Sequence, residues 1–218
     1  MNKKHFMSML SLLAVSVAGV SSANAADTNT GFYVGAGAGY SRVKFNDNAF
    51  AVAGATASSL SKDESDTGFK LFGGYQFNQN IGVELGYVDL GRFNATRTVT
   101  APAAGTVATN IRTSGGFLDL VGTLPLQNNF SLLGKVGAIY SETKASLATT
   151  GAVALVAGVN RNPKENETNF KLGLGAQYDF TKTVGLRAEW ERFFKLGKTN
   201  TTGEGDVDLY SLNLIIRF

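Results

Sequence analysis

The sequence predicts an all-β protein, an eight-stranded antiparallel up-and-down transmembrane β-barrel. Three observations carry this. Eight segments alternate apolar and polar residues with period two. The connections between them alternate short and long, as in outer-membrane barrels. Glycine and charge share one face of the strands, while Leu and aromatic side chains fill the other.

The composition fits one domain: 218 residues, 44% hydrophobic and only 17% charged, with 26 Gly, 3 Pro and no Cys. Met1–Ala25 reads as a cleaved secretory signal. Lys3 and Lys4 precede a mostly apolar stretch, and Ala23-Asn24-Ala25 is a small-residue cleavage site. Residues 26–218 are then the barrel. Removing the two lysines lowers the formal charge from +3 to +1, so the basic character is no sign of a nucleic-acid partner. The single His is His5, inside the leader, so imidazole and thiol chemistry are both excluded from the mature chain.

The strands follow in order. Gly31–Val43 places Phe32, Val34, Ala36, Ala38 and Tyr40 on one face. Phe69–Phe77 sets Leu71 and Tyr75 against Lys70 and Gly74, and Ile81–Tyr87 sets Leu85 against Glu84. Gly116–Leu126 opposes Leu118 and Leu120 to Asp119, and Phe130–Ser141 opposes Val136 to Lys135. Phe170–Phe180 opposes Leu172 and Leu174 to Lys171, Gly173 and Gly175. Val184–Trp190 carries Arg187 and Glu189 behind Leu186 and Ala188, and Leu209–Phe218 closes the set. Each is about the 9–11 residues that cross a bilayer at a tilt. Asn78–Asn80, Gln127–Asn129 and Thr181–Thr183 are tight turns, and the segments 44–66, 94–112, 142–167 and 195–206 are expected as long outer loops.

A soluble secreted barrel would turn its apolar face inward. Here the glycine-rich, charged face suits the crowded interior of a narrow barrel. Aromatics also gather at both strand ends of the apolar face, as at two membrane interfaces.

Gly73-Gly74-Tyr75-Gln76-Phe77-Asn78, with Gly82-Val83-Glu84-Leu85-Gly86-Tyr87 and Leu90-Gly91-Arg92, resembles the second and third strands of the outer-membrane protein A barrel family. Residues 184–190 and 209–218 add to the likeness. The resemblance implies a Gram-negative outer-membrane location. It implies that alternating Tyr210, Leu212, Leu214 and Ile216 with terminal Phe218 form the signal read by the barrel-assembly machinery. It further implies an interior ion pair between an acid on the third strand and an Arg on the seventh, here Glu84 and Arg187. A second acid expected on the sixth strand is replaced by Gln177. Fuller-length members continue into a periplasmic peptidoglycan-binding domain. This sequence stops at its last strand, so no wall anchoring is expected.

The interior face carries Lys70, Glu84, Asp119, Lys135, Lys171, Arg187 and Glu189, four cations and three carboxylates. Buried charges must be paired, so these residues read either as a structural plug or as a switchable gate in a narrow conduit. Gly35-Ala36-Gly37-Ala38-Gly39 lacks the dinucleotide-binding spacing and precedes no helix. No enzyme, cofactor or metal site is expected. Arg92, Arg97 and Arg112, in a segment without acids, are candidates for lipopolysaccharide phosphates or for plain solvation. The acids of Lys62–Asp66 read as solvated side chains or a loose divalent-cation contact. The apolar run Gly151–Val159 is either an extended hairpin or a sticky contact surface. The expected role is a structural, monomeric outer-membrane barrel whose loops meet lipid, host or cell-surface ligands in the manner of an adhesin. The alternative is a porin-like channel of very low conductance.

Overall fold

The computed structural model describes residues 30–45, 57–101, 104–152, 160–198 and 202–218. The leader Met1–Ala25 and residues 153–159 of the apolar run lie outside them.

Nine strand segments form one antiparallel sheet. They are β1 (Gly31–Phe45), β2 (Ala57–Asp63), β3 (Ser65–Gln76), β4 (Ile81–Ala101), β5 (Gly105–Pro125), β6 (Phe130–Gly151), β7 (Lys164–Asp179), β8 (Val184–Leu196) and β9 (Gly205–Arg217). β1 pairs with both β3 and β9, so the sheet closes into a ring of eight positions. β2 continues the line of β3 past Glu64 and pairs with the far half of β4. In the ring itself, closure removes the free edges an open sheet would expose.

The alternation separates two environments. Phe32, Leu71, Leu85, Leu118, Leu174 and Leu212 are exposed on the outer wall, while Tyr33, Phe72, Glu84, Asp119 and Asn213 are buried within. On the turn side, Phe32 stacks edge-on against Tyr75 (4.7 Å) and Tyr75 against Phe77 (5.3 Å), while Phe130 packs tilted on Tyr178 (4.8 Å). This is one aromatic girdle; Tyr40, Tyr87, Tyr140 and Tyr210, all exposed, stand on the loop side. The narrow lumen explains one glycine directly. A Cβ at Gly35 would lie within 2.7 Å of the Phe72 ring, so the ring fits only because Gly35 lacks one.

The outer segments differ from expectation. Residues 94–112 are not a long loop: β4 runs to Ala101 and β5 begins at Gly105, paired without a break from Val99↔Gly105 to Arg92↔Arg112. β6 likewise reaches Gly151, which extends the sixth strand segment into the apolar run. Part of 44–66 is β2. β4, β5 and β6, of 21, 21 and 22 residues, are about twice as long as a bilayer needs. They continue as a rim of sheet because the ladder carries on past the girdle: there β4 pairs with both β2 and β5, and β5 with both β4 and β6.

Two bulges re-aim side chains. Between Asp89 and Arg92, β4 has one more residue than β5 between Ser114 and Arg112. Gly91 takes the extra place with φ of 86°, a left-handed conformation that favours glycine. Even-numbered residues up to Leu90 face inward; beyond the bulge the odd-numbered Phe93, Ala95 and Val99 do. A second shift in β8, between Phe193 and Leu196, does the same opposite β9.

With Leu85 on the lipid side, midway between the level of Tyr75, which stands opposite Val83, and that of Tyr87, Leu85→Arg should cost roughly 2–4 kcal/mol in urea unfolding from lipid vesicles. Unchanged unfolding would show that the face assignment is inverted.

Candidate functional site

The lumen charges lie at matching depths because short turns set the strands in register. β3–β4 pairing places Gly74 opposite Glu84, and Glu84 faces Asp119 across β4–β5. Lys135 stands opposite Gly173 and next to Val121, and Glu189 opposite Gly175. Small residues beside large charged ones leave room for long side chains to cross the barrel.

These side chains join in one series. Arg187 Nη1 donates to Glu84 Oε1 at 2.5 Å, and Lys135 donates to Glu84 Oε2. Lys135 also pairs with Glu189, and Glu189 with Lys70. Lys70 reaches Glu191 at 2.5 Å, and Lys171 bridges Glu191 and Asp119 at 2.7 Å each. The order Arg187, Glu84, Lys135, Glu189, Lys70, Glu191, Lys171, Asp119 alternates in sign throughout. All eight residues are buried.

Neutral groups complete the ends. Tyr33 donates its hydroxyl to Glu84 at 2.8 Å, and Arg187 Nε donates to Gln177 Oε1 at 2.8 Å. Gln177 in turn donates to Asp179 at 2.7 Å, and Asn213 donates to Glu189 at 2.9 Å. Aromatic faces line the cations: Lys171 Nζ lies 4.1 Å from the Phe117 ring centre, and Lys70 and Lys135 lie just over 5 Å from Phe72.

All seven interior charges read from the sequence lie in this series. The eighth member, Glu191, is not among them, because it lies one residue beyond the alternating segment Val184–Trp190. It is two residues past Glu189 on the same face, and β8 runs on to Leu196. With Glu191 the buried series, among the described residues, holds four cations and four carboxylates rather than four and three.

An apolar layer lies on the loop side of the charges. Val43, Leu90, Phe93, Ile139, Phe193, Leu196, Val207 and Leu209 are all buried and belong to one cluster. On the turn side a cavity of about 490 Å³ opens to the barrel end, lined by Tyr33, Gln177, Asp179, Lys182, Arg187 and Arg217.

The three rim arginines part company. Arg92 and Arg112 are direct partners across β4–β5 and both are exposed. Arg112 pairs with Asp89. Arg97 shares the parity of Phe93 and Ala95 and donates to Ser58 Oγ at 2.9 Å. In Lys62–Asp66, Lys62 lies 3.5 Å from Glu64, and Asp66 accepts the Arg92 and Thr67 amides. At the chain end, Tyr210, Leu212, Leu214 and Phe218 are exposed on the outer wall, with Ile216 half-buried.

The sequence matches the model of the OmpA-like transmembrane domain over residues 26–218. The chain belongs to this family. Among curated relatives, outer membrane protein A of Escherichia fergusonii is 26% identical over 216 residues, covering 94% of this chain and 54% of that protein. Outer membrane protein P5 of Haemophilus influenzae is 25% identical over 198 residues, covering 87% of this chain and 52% of that protein. The chain thus spans about half the length of the curated relatives it matches. Of solved structures, the outer membrane protein OprG from Pseudomonas aeruginosa aligns with a TM-score of 0.52 at 16% identity, covering 87% of this chain and 97% of that one. This OmpA-like chain is an outer-membrane β-barrel protein.

Removing one partner of a buried pair strands the other charge, typically a loss of about 3–5 kcal/mol. Glu84→Gln and Arg187→Met should each destabilise, and the double variant should lose less than their sum. Strict additivity in a double-mutant cycle would show that the pair is not coupled.

Proposed function

We propose that this OmpA-like barrel is a structural, closed element of the outer membrane whose rim and loops supply the contacts with lipid, host or other cells. The observation that carries the reading is the double filling of the lumen: a neutral series of eight alternating charges, then an apolar layer from Val43 to Leu209. A solute following the axis would have to separate the ion pairs and also part the apolar side chains. Catalysis has no support in the side-chain inventory, since the only His is His5 and there is no Cys. A series of carboxylates each held by a cation is a poor general base. Lipopolysaccharide contact is the most concrete of the rim roles, with Arg92 and Arg112 as its candidates.

The turn-side cavity favours a second reading, a narrow channel in which Arg187 exchanges partners, because that cavity already reaches Arg187. Planar-bilayer conductance separates the two. The closed reading predicts silence from wild type and from Glu84→Gln/Arg187→Met, because the apolar layer remains. Steady openings in that double variant would establish the gate and end the closed reading.

The chain end supports a role in assembly: Phe218 donates its amide to Phe32 O at 3.0 Å, beside the seam where β1 meets β9. Deleting Phe218 should reduce the heat-modifiable, folded fraction in the membrane. Wild-type levels of folded protein would remove Phe218 from the assembly signal.

A further inference from the structure

The register of the rim strands sets four cations side by side. Arg92 stands opposite Arg112, Arg112 opposite Lys144, and Lys144 opposite Lys164. All four are exposed, and the residues flanking them, Gly91, Phe93, Ile111, Thr113, Thr143 and Ala145, are buried, so the four side chains project from the outer wall. The β4 bulge is what brings Arg92 into this row. Without the extra residue Arg92 would share the inward parity of Val88 and Leu90.

The row has a definite height. Tyr87, Gly116, Tyr140 and Thr168 form one level of the ladder; Asp89, Ser114, Glu142 and Asn166 form the next outward-facing level; the cations form the one above. At about 3.3 Å per residue and a tilt near 40°, the cations stand roughly 10 Å beyond the Tyr87–Tyr140 girdle. That is the depth of lipid headgroups.

Like charges directly opposite each other destabilise a sheet, and the neighbouring acids offset this only in part. Asp89 pairs with Arg112, and Glu142 is shared between Lys144, at 2.5 Å, and Lys164. Hydrogen bonds from Lys144 and Lys164 hold the Glu142 carboxyl below the usual carboxylate range. Asp66 accepts the backbone amide of Arg92 at 2.6 Å, and the Arg92 guanidinium has no ion-pair partner among the described residues. Three carboxylates therefore stand against four cations, with Asp89 and Glu142 one outward-facing level nearer the membrane and Asp66 level with Arg92.

We propose that Arg92, Arg112, Lys144 and Lys164 bind the phosphorylated sugar headgroup of an outer-leaflet glycolipid. The proposal deepens the rim-contact reading above and rests on it. Guanidinium groups grip phosphate bidentately, and the two ammonium groups add point charges. The donors sit on paired strands, so little ordering is left to be done on binding. Four strands at about 4.8 Å make a row roughly 14 Å long. That length accommodates two phosphates on a disaccharide-sized head, whereas a single phosphodiester would engage only one end.

The test uses the full-length protein folded in detergent, titrated with bisphosphorylated lipid A, its dephosphorylated form, or phosphatidylglycerol, with retention read by native mass spectrometry. Wild type should hold lipid A at least tenfold more tightly than either other lipid. The variant Arg92→Gln/Arg112→Gln/Lys144→Gln/Lys164→Gln should lose at least tenfold. Arg92→Gln, which breaks no ion pair, should lose about threefold in a protein that remains heat-modifiable. Arg42→Gln/Lys44→Gln, on another part of the rim, should stay within twofold of wild type. Equal retention of dephosphorylated lipid A, or full retention by the fourfold variant, would overturn the site. Loss of wild-type binding with EDTA would assign it instead to a metal bridge through Asp89 and Glu142. Tight, row-dependent binding of phosphatidylglycerol would refute the glycolipid while leaving the rim-contact reading intact; binding of neither lipid would end both.

Discussion

Eight ionised side chains inside a narrow barrel leave little freedom in how they are arranged. Each must meet opposite charge, because the desolvation of an isolated ion inside a protein costs several kcal/mol. The lumen meets this with a series that alternates from Arg187 to Asp119 and sums to zero. Glu84, Glu189 and Glu191 each meet at least two cations, and Asp119 at the end of the series meets Lys171. The glycines of β7 follow from it: a Cβ at Gly173 would lie 3.2 Å from Glu191 Cγ and 3.3 Å from Lys135 Cβ, and one at Gly175 would lie 3.0 Å from Glu189 Cγ.

The upper barrel obeys a different constraint. Once the strands pass the aromatic girdle, the outer wall meets polar headgroups and solvent, so exposed positions become Arg, Lys, Asp and Glu while the inner wall becomes apolar. The polarity pattern across the sheet inverts at about the level of the β4 bulge. Below it, lipid outside and charge inside; above it, charge outside and a core of Phe93, Phe193 and Leu209 inside. The upper section thus packs like a small soluble barrel set on a membrane one, which is why β4, β5 and β6 can run far past the bilayer as ordered sheet.

Most of the transmembrane section was legible in the sequence because a strand between lipid and lumen alternates without interruption. Lys70, Glu84 and Arg187 stand out there as lone charges between large apolar residues. The upper section was harder to read for two reasons. A single extra residue at Gly91 reverses the parity, so alternation taken past Tyr87 seems to dissolve into loop. Polar-out, apolar-in strands rich in Thr, Ala and Asn, such as 94–112, also resemble solvated connections in composition. Glu191 was lost at the same boundary, although its spacing from Glu189 carries the signal. Arg97 could not be separated from Arg92 and Arg112 without the bulge, because only the register shows that it faces the other way.

The central claim is that the lumen charges form one mutually dependent series, and Glu191, which joins Lys70 to Lys171, tests it most directly. The measurement is the unfolding free energy of Glu191→Gln in lipid vesicles, set beside Glu142→Gln on the exposed rim. A coupled series predicts a loss of about 3–5 kcal/mol at Glu191 and a far smaller one at the solvent-screened Glu142. Equal, small losses at both positions would contradict it, and would mean that the lumen charges are solvated individually.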